Sequence, residues 1–155
     1  MAERVIVRQN REYEIEVLAV DPHNPDAEGL QPVEMIYQLT PYGLLLAGLG
    51  ACTAVVLNTY ADYHEVGLEQ VELRLSYDRT FDEDCEHCQS IDDYQEQIEM
   101  RIVLEGDLTA AERQKLFAIS KHCPIHKMLA QGIEVKTSLV EEAPATSAPA
   151  QGGGK

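Results

Sequence analysis

Basic residues are scarce in this sequence. Twelve lysines and arginines stand against 27 aspartates and glutamates, a formal net charge of −15. That deficit argues against nonspecific binding to nucleic acid or to an anionic membrane. A leading apolar segment is also missing: Met1-Ala2-Glu3-Arg4 runs straight into strand-like sequence, with no signal-peptide core. The expected location is therefore cytoplasmic. In that compartment the four cysteines are expected to be catalytic, metal-binding or buried rather than joined in structural disulfides. No Walker A motif, dinucleotide fingerprint or HExxH occurs, and no local signature of a serine triad. There is no internal repeat.

Charge is absent altogether from Met35 to Ala61. A membrane-spanning helix needs about 20 mostly apolar residues. This stretch contains Gln38, Thr40, Pro41, Thr53, Asn58 and Thr59, and its flanks, Glu34 and Asp62, are acidic, so no basic anchor fixes an orientation. The purely apolar part, Leu44 to Leu57, is too short to span. A buried helix is expected instead, and no membrane partner.

What is present reads as one α+β domain. Hydrophobic residues make up 45% and charged residues 25% of 155 positions, ordinary values for a globular chain long enough to bury a core. Val5-Ile6-Val7 and Tyr13 to Val17 read as two strands around a turn at Gln9-Asn10. Asp21 to Gln31, with two prolines and Gly29, reads as a loop. Val33 to Leu39 reads as a third strand. Pro41 suits the first turn of a helix with Thr40 as N-cap, running to about His64 with Gly67 as its closing residue. Leu45, Leu49, Cys52, Val56 and Tyr60 share one face of it. Ala47, Gly50, Ala51 and Ala54 make a small-residue face, suited to close packing against another helix, including one from a second subunit.

Val71, Leu73, Leu75 and Tyr77 alternate with polar residues, as do Ile98, Met100, Ile102 and Leu104, giving a hairpin. Thr109-Ala110-Ala111-Glu112 is a capping box, opening a helix with Leu116 and Ile119 inside. Cys123-Pro124 interrupts that helix and restarts a short one to about Ala130, closed by Gly132. Ile133, Val135, Thr137 and Leu139 alternate as a last strand. Residues 1–140 form the expected domain, and 141–155, rich in Ala, Pro, Ser and Gly, a disordered tail.

Three cysteine settings carry possible chemistry. Cys123 precedes a helix-starting proline and is flanked by Lys121, His122, His126 and Lys127, and helix N-termini and cations both favour a thiolate. The alternative is a buried cysteine beside a proline kink. Cys52 lies mid-helix among apolar residues, where burial keeps a thiol protonated unless a base or cation is near. Arg4, Arg8 and Arg11, in the first hairpin, are the available arginines. Cys85-Glu86-His87-Cys88 is a lone CxxC in an acidic loop: half of a zinc site through Cys85, His87 and Cys88, an auxiliary dithiol, or two exposed thiols.

Thr40-Pro41, the run ending Leu49-Gly50-Ala51-Cys52-Thr53, a strand after Gly67, and Cys123-Pro124-Ile125-His126-Lys127 together resemble the OsmC/Ohr family over roughly Val33 to Leu139. The resemblance implies antiparallel sheets around two central helices, in an intertwined homodimer with active sites at the subunit interface. It implies a thiol-dependent peroxidase reducing organic or hydrogen peroxides. Cys52 matches the peroxidatic cysteine and Cys123 the resolving one, their disulfide being reduced by an external dithiol. No cofactor is implied. Family members often carry a glutamate after the helix-leading proline; here it is Tyr42. Tyr42, His126 and Arg8 are candidate supporting residues. The alternatives are a non-peroxidase redox or small-ligand-binding protein on the same fold, or metal binding through the Cys85/Cys88 loop.

Overall fold

A computed structural model describes residues 3–24, 26–81 and 94–141. The described residues form five strands and three α-helices: β1 (Glu3–Asn10), β2 (Ile15–Ala19), β3 (Gln31–Pro32), α1 (Pro41–Tyr63), β4 (Gly67–Phe81), β5 (Tyr94–Asp107), α2 (Ala110–Ser120) and α3 (Pro124–Gln131). All strand pairings are antiparallel, in the order β3-β2-β1-β4-β5. Among the described residues there is one sheet, not sheets on both sides of two helices. α1 lies across it, and α2 and α3 pack on α1.

Period-2 alternation decides which face the helix covers. Val5 and Val7 of β1 and Val71, Leu73, Leu75 and Tyr77 of β4 are buried beneath α1. Ile98, Met100 and Ile102 of β5 stand opposite Tyr77, Leu75 and Leu73 and extend the same apolar face. Leu46, Leu49, Thr53, Ala54, Leu57 and Ala61 of α1 complete the core. The small-residue face expected to meet another helix meets the sheet at Gly50. A Cβ there would lie 2.7 Å from Val7 Cγ2 and 2.9 Å from Leu75 Cδ1. Gly48, by contrast, faces open space.

α1 is long and apolar enough to cross a membrane by length and composition, but half of its most apolar window is buried within the fold, as in a core helix. Its start is as the sequence predicts. Thr40 Oγ1 accepts from the Gly43 N–H at 2.9 Å and donates to Glu3 Oε1 at 2.8 Å, with Pro41 in the first turn. Its end differs. Glu65 takes the left-handed conformation (φ 54°), and the Val66 N–H reaches Ala61 O at 2.9 Å. Gly67 opens β4 instead, where Asp107 O would stand 2.7 Å from any Cβ. The polar Asn58, buried on α1, donates to Gln9 Oε1 at 2.9 Å and so ties the helix to β1.

Two expected strands are not formed. Instead of a strand over Val33–Leu39, β3 is confined to Gln31–Pro32 and a 3-10 turn occupies Ile36–Gln38. The Gln38 side chain causes this by accepting from the N–H groups of Glu34 (2.9 Å) and Met35 (2.8 Å), which closes a turn where a ladder would need them open. Residues 133–140 make no strand either, and Ile133, Val135, Leu139 and Val140 are exposed. α2 begins on its capping box, with the Thr109 N–H donating to Glu112 Oε2 at 2.7 Å. Gly132 (φ 79°) closes α3 as expected. The acidic CxxC loop and the tail from residue 142 lie outside the described residues.

Candidate active site

The Cys123-Pro124 junction creates the site. Proline cannot continue α2, so the chain breaks after Ser120 and restarts with Pro124 at the first position of α3. That leaves Cys123 as the α3 N-cap, fully buried against α1. The first turn of α3 has N–H groups without helical partners, and one of them, Ile125, influences Cys52. The half-buried Cys52 thiol is close enough to the Cys123 thiol and the Ile125 N–H for both to act on its ionisation. Two cysteines 71 positions apart in the chain are thus brought side by side, both as free thiols.

Their electrostatics oppose easy ionisation. Burial pushes the Cys52 thiol up, the neighbouring Cys123 thiol pushes it further, and the Ile125 N–H offsets part of this. Alkylation of Cys52 by iodoacetamide is therefore expected to keep accelerating above the ordinary thiol range of about 8.5. Cys123→Ala removes one upward contribution and is expected to move the profile to lower pH. An unchanged profile in that variant, or a wild-type inflection below pH 7, would contradict the thiol pairing.

A cavity of about 640 Å³ adjoins the pair. Neither sulfur lines it, but Leu49, one helical turn before Cys52, and Ser120, Lys121 and His126, on either side of Cys123, do. Its remaining walls are mostly apolar, from Leu45 on α1, Met100 on β5 and Phe117 on α2. His126 stands half-buried on its wall.

Tyr42 is not beside Cys52. Its ring stacks on Tyr77 with centroids 4.4 Å apart, and its hydroxyl accepts from the Arg79 guanidinium. Tyr77 donates to Glu96 at 2.6 Å and accepts from Arg79 Nε at 3.3 Å. The carboxylate acceptor Glu96 is the main reason that the Tyr77 hydroxyl is pushed up to about 12. Arg79 and Glu96 were not singled out by the sequence analysis. The signal was available: Arg79 continues the inward alternation Leu73, Leu75, Tyr77, and Glu96 pairs with it in register.

Arg8 is not brought next to Cys52 within this chain. Strand alternation puts it on the sheet face opposite Val7 and α1. There its Nε donates to Glu72 at 2.7 Å and its Nη1 to Glu16 at 3.1 Å. Cys85, His87 and Cys88 lie outside the described residues. Among the described residues, no group of three or more His, Cys, Asp and Glu side chains is placed to hold a metal ion.

A family model described as OsmC-like protein matches residues 26–138, which hold both cysteines, the proline-led helix and the Cys-Pro junction. The chain belongs to the OsmC-like family. Its fold agrees with the crystal structure of an OsmC-like hydroperoxide resistance protein from Jannaschia sp. CCS1, at a TM-score of 0.57 over 92% of this chain and 96% of that one. At 18% identity that likeness is one of fold. No curated protein sequence matches the chain. Within this OsmC-like chain, α1 carries one thiol, the α2–α3 break the other, and β4–β5 the far wall of the cavity.

Proposed function

We propose that this OsmC-like chain is a thiol-dependent hydroperoxide reductase with Cys52 as the attacking thiol and Cys123 as the resolving one. The observation that carries the reading is the contact between the two thiols beside an apolar cavity. The Cys52 thiolate attacks the outer oxygen of a hydroperoxide. The O–O bond breaks, the alcohol leaves with a proton, and Cys52 becomes a sulfenic acid. Cys123 then attacks that sulfur, water leaves, and a disulfide forms. An external dithiol returns the two electrons by exchange. No metal or organic cofactor enters this chemistry, and the proposed setting is the cytoplasm, where such dithiols are kept reduced. The apolar walls suit an organic hydroperoxide, with His126 and Lys121 as polar contacts.

The proposed unit is an intertwined homodimer. Support comes from apolar surface that one copy leaves open: Leu44, Leu45 and Val55 along α1, beside the unobstructed Gly48, and the apolar residues of 133–140. The raised Cys52 pKa favours a second reading, in which the cavity binds a small apolar ligand without peroxide turnover. One experiment separates the two. After one equivalent of organic hydroperoxide at neutral pH, mass spectrometry is expected to find a Cys52–Cys123 disulfide. If both thiols stay free, the reductase reading fails.

A further inference from the structure

The sheet face turned away from the helices carries a feature that the thiol chemistry does not use. Four of the seven arginines, Arg4, Arg8, Arg74 and Arg101, project from it, in a chain whose net charge is −15. Arg8 is occupied by Glu72 and Glu16. The other three are arranged differently. Arg74 and Arg101 stand directly opposite each other across β4 and β5. Like charges in direct cross-strand register are unfavourable unless something neutralises them. In the adjacent row, Arg4 faces Ser76, which faces Glu99. The three arginines, Ser76 and Glu99 line a second cavity of about 360 Å³, with Leu30 also on its wall.

The bonding pattern leaves the outer ends of these side chains available. Arg74 uses its Nε on Glu72 at 2.6 Å, and Arg101 uses its Nε on Glu99 at 2.9 Å. Among the described residues neither terminal nitrogen pair has a partner, and the Arg4 side chain makes no hydrogen bond or ion pair. Three arginines therefore line one cavity with one carboxylate among them, and that carboxylate is already bound. Guanidiniums bind oxyanions in a planar, bidentate way. Three of them from three strands, with a serine hydroxyl, match a group with several oxygens and two charges better than a single carboxylate.

We infer that this cavity is a binding site for a compact dianionic oxyanion of the phosphate or phosphomonoester class, on the sheet face opposite the thiol pair. The cavity has room for the phosphate and a short organic group on it. Leu30 offers that group an apolar contact.

The test is titration of the full-length protein with inorganic phosphate, and separately with glycerol phosphate, at constant ionic strength, read by calorimetry and by 31P line width. Saturable binding is expected. Arg4→Gln is expected to weaken it at least about tenfold, the loss of one charge-assisted hydrogen bond. Arg4 has no partner whose loss would disturb the fold, so this variant isolates binding from stability. Glu99→Gln removes the competing carboxylate and is expected to tighten binding. Stronger glycerol phosphate binding identifies a phosphomonoester ligand, and equal binding identifies phosphate itself. An equal response to chloride, preferential binding of succinate, or unchanged affinity in Arg4→Gln would overturn the assignment. The Cys52–Cys123 disulfide yield is expected to be the same in Arg4→Gln and wild type, so failure here is separable from failure of the reductase reading.

Discussion

Replacing Cys52 by serine is expected to remove hydroperoxide consumption, with a loss on the order of 10³-fold or more, as for removal of other covalent nucleophiles. The expectation follows from atoms rather than packing. Serine is nearly the same size, and Cys52 is half-buried on the flank of α1, so the fold has little reason to change. What changes is the attacking atom. A hydroxyl ionises far less readily than a thiol and cannot be carried through sulfenic acid to a disulfide. Cys123→Ser is expected to fail differently. The first oxidation proceeds once, and the reaction stops at Cys52 sulfenic acid or passes on to sulfinic acid. Peroxide consumption in a coupled dithiol assay, with mass spectrometry of both variants, distinguishes these outcomes. Wild-type turnover in Cys52→Ser would refute the assignment, because Cys123 is fully buried and has no open face from which to attack a substrate.

The pair of cysteines shows what a sequence can and cannot disclose. The break at Cys123-Pro124 and the start of α1 at Thr40-Pro41 were legible because proline and capping residues act locally. So was the β4–β5 hairpin, from its period-2 alternation. The contact between Cys52 and Cys123 was not written in any local pattern. It depends on α3 turning back onto α1, and only the family resemblance joined the two residues beforehand. The place of Arg8 is hidden for a related reason: one step of strand alternation sends it to the sheet face opposite Val7 and α1. The turn at Ile36–Gln38 was hidden because one glutamine side chain overrode a β-like run. Gly50 could be seen as a site of close approach, but not that the sheet, rather than another helix, would come close.

If the proposed homodimer forms through this segment, deleting residues 133–155 is expected to leave a monomer where the full chain is a dimer, read by light scattering on a sizing column at micromolar concentration. The alternation Ile133, Val135, Thr137, Leu139 has the period of a strand with one apolar face, yet among the described residues these positions have no strand partner. Val135 is 80% and Leu139 95% exposed. An extended apolar segment left open in this way is an invitation to pair with another copy. Full burial of Ile133, Val135 and Leu139 would contribute roughly 1.5–3 kcal/mol each. Since every 1.4 kcal/mol is a factor of about ten, that burial covers several decades of dissociation constant even after ordering costs. Val135→Lys tests the same contact without shortening the chain, because a charge on the apolar face of a strand cannot be buried unpaired. The two changes should agree, and neither should alter the Cys52–Cys123 contact, which lies within one chain. A truncated protein that remains dimeric would move the interface to the open flank of α1, where Leu44, Leu45 and Val55 surround Gly48.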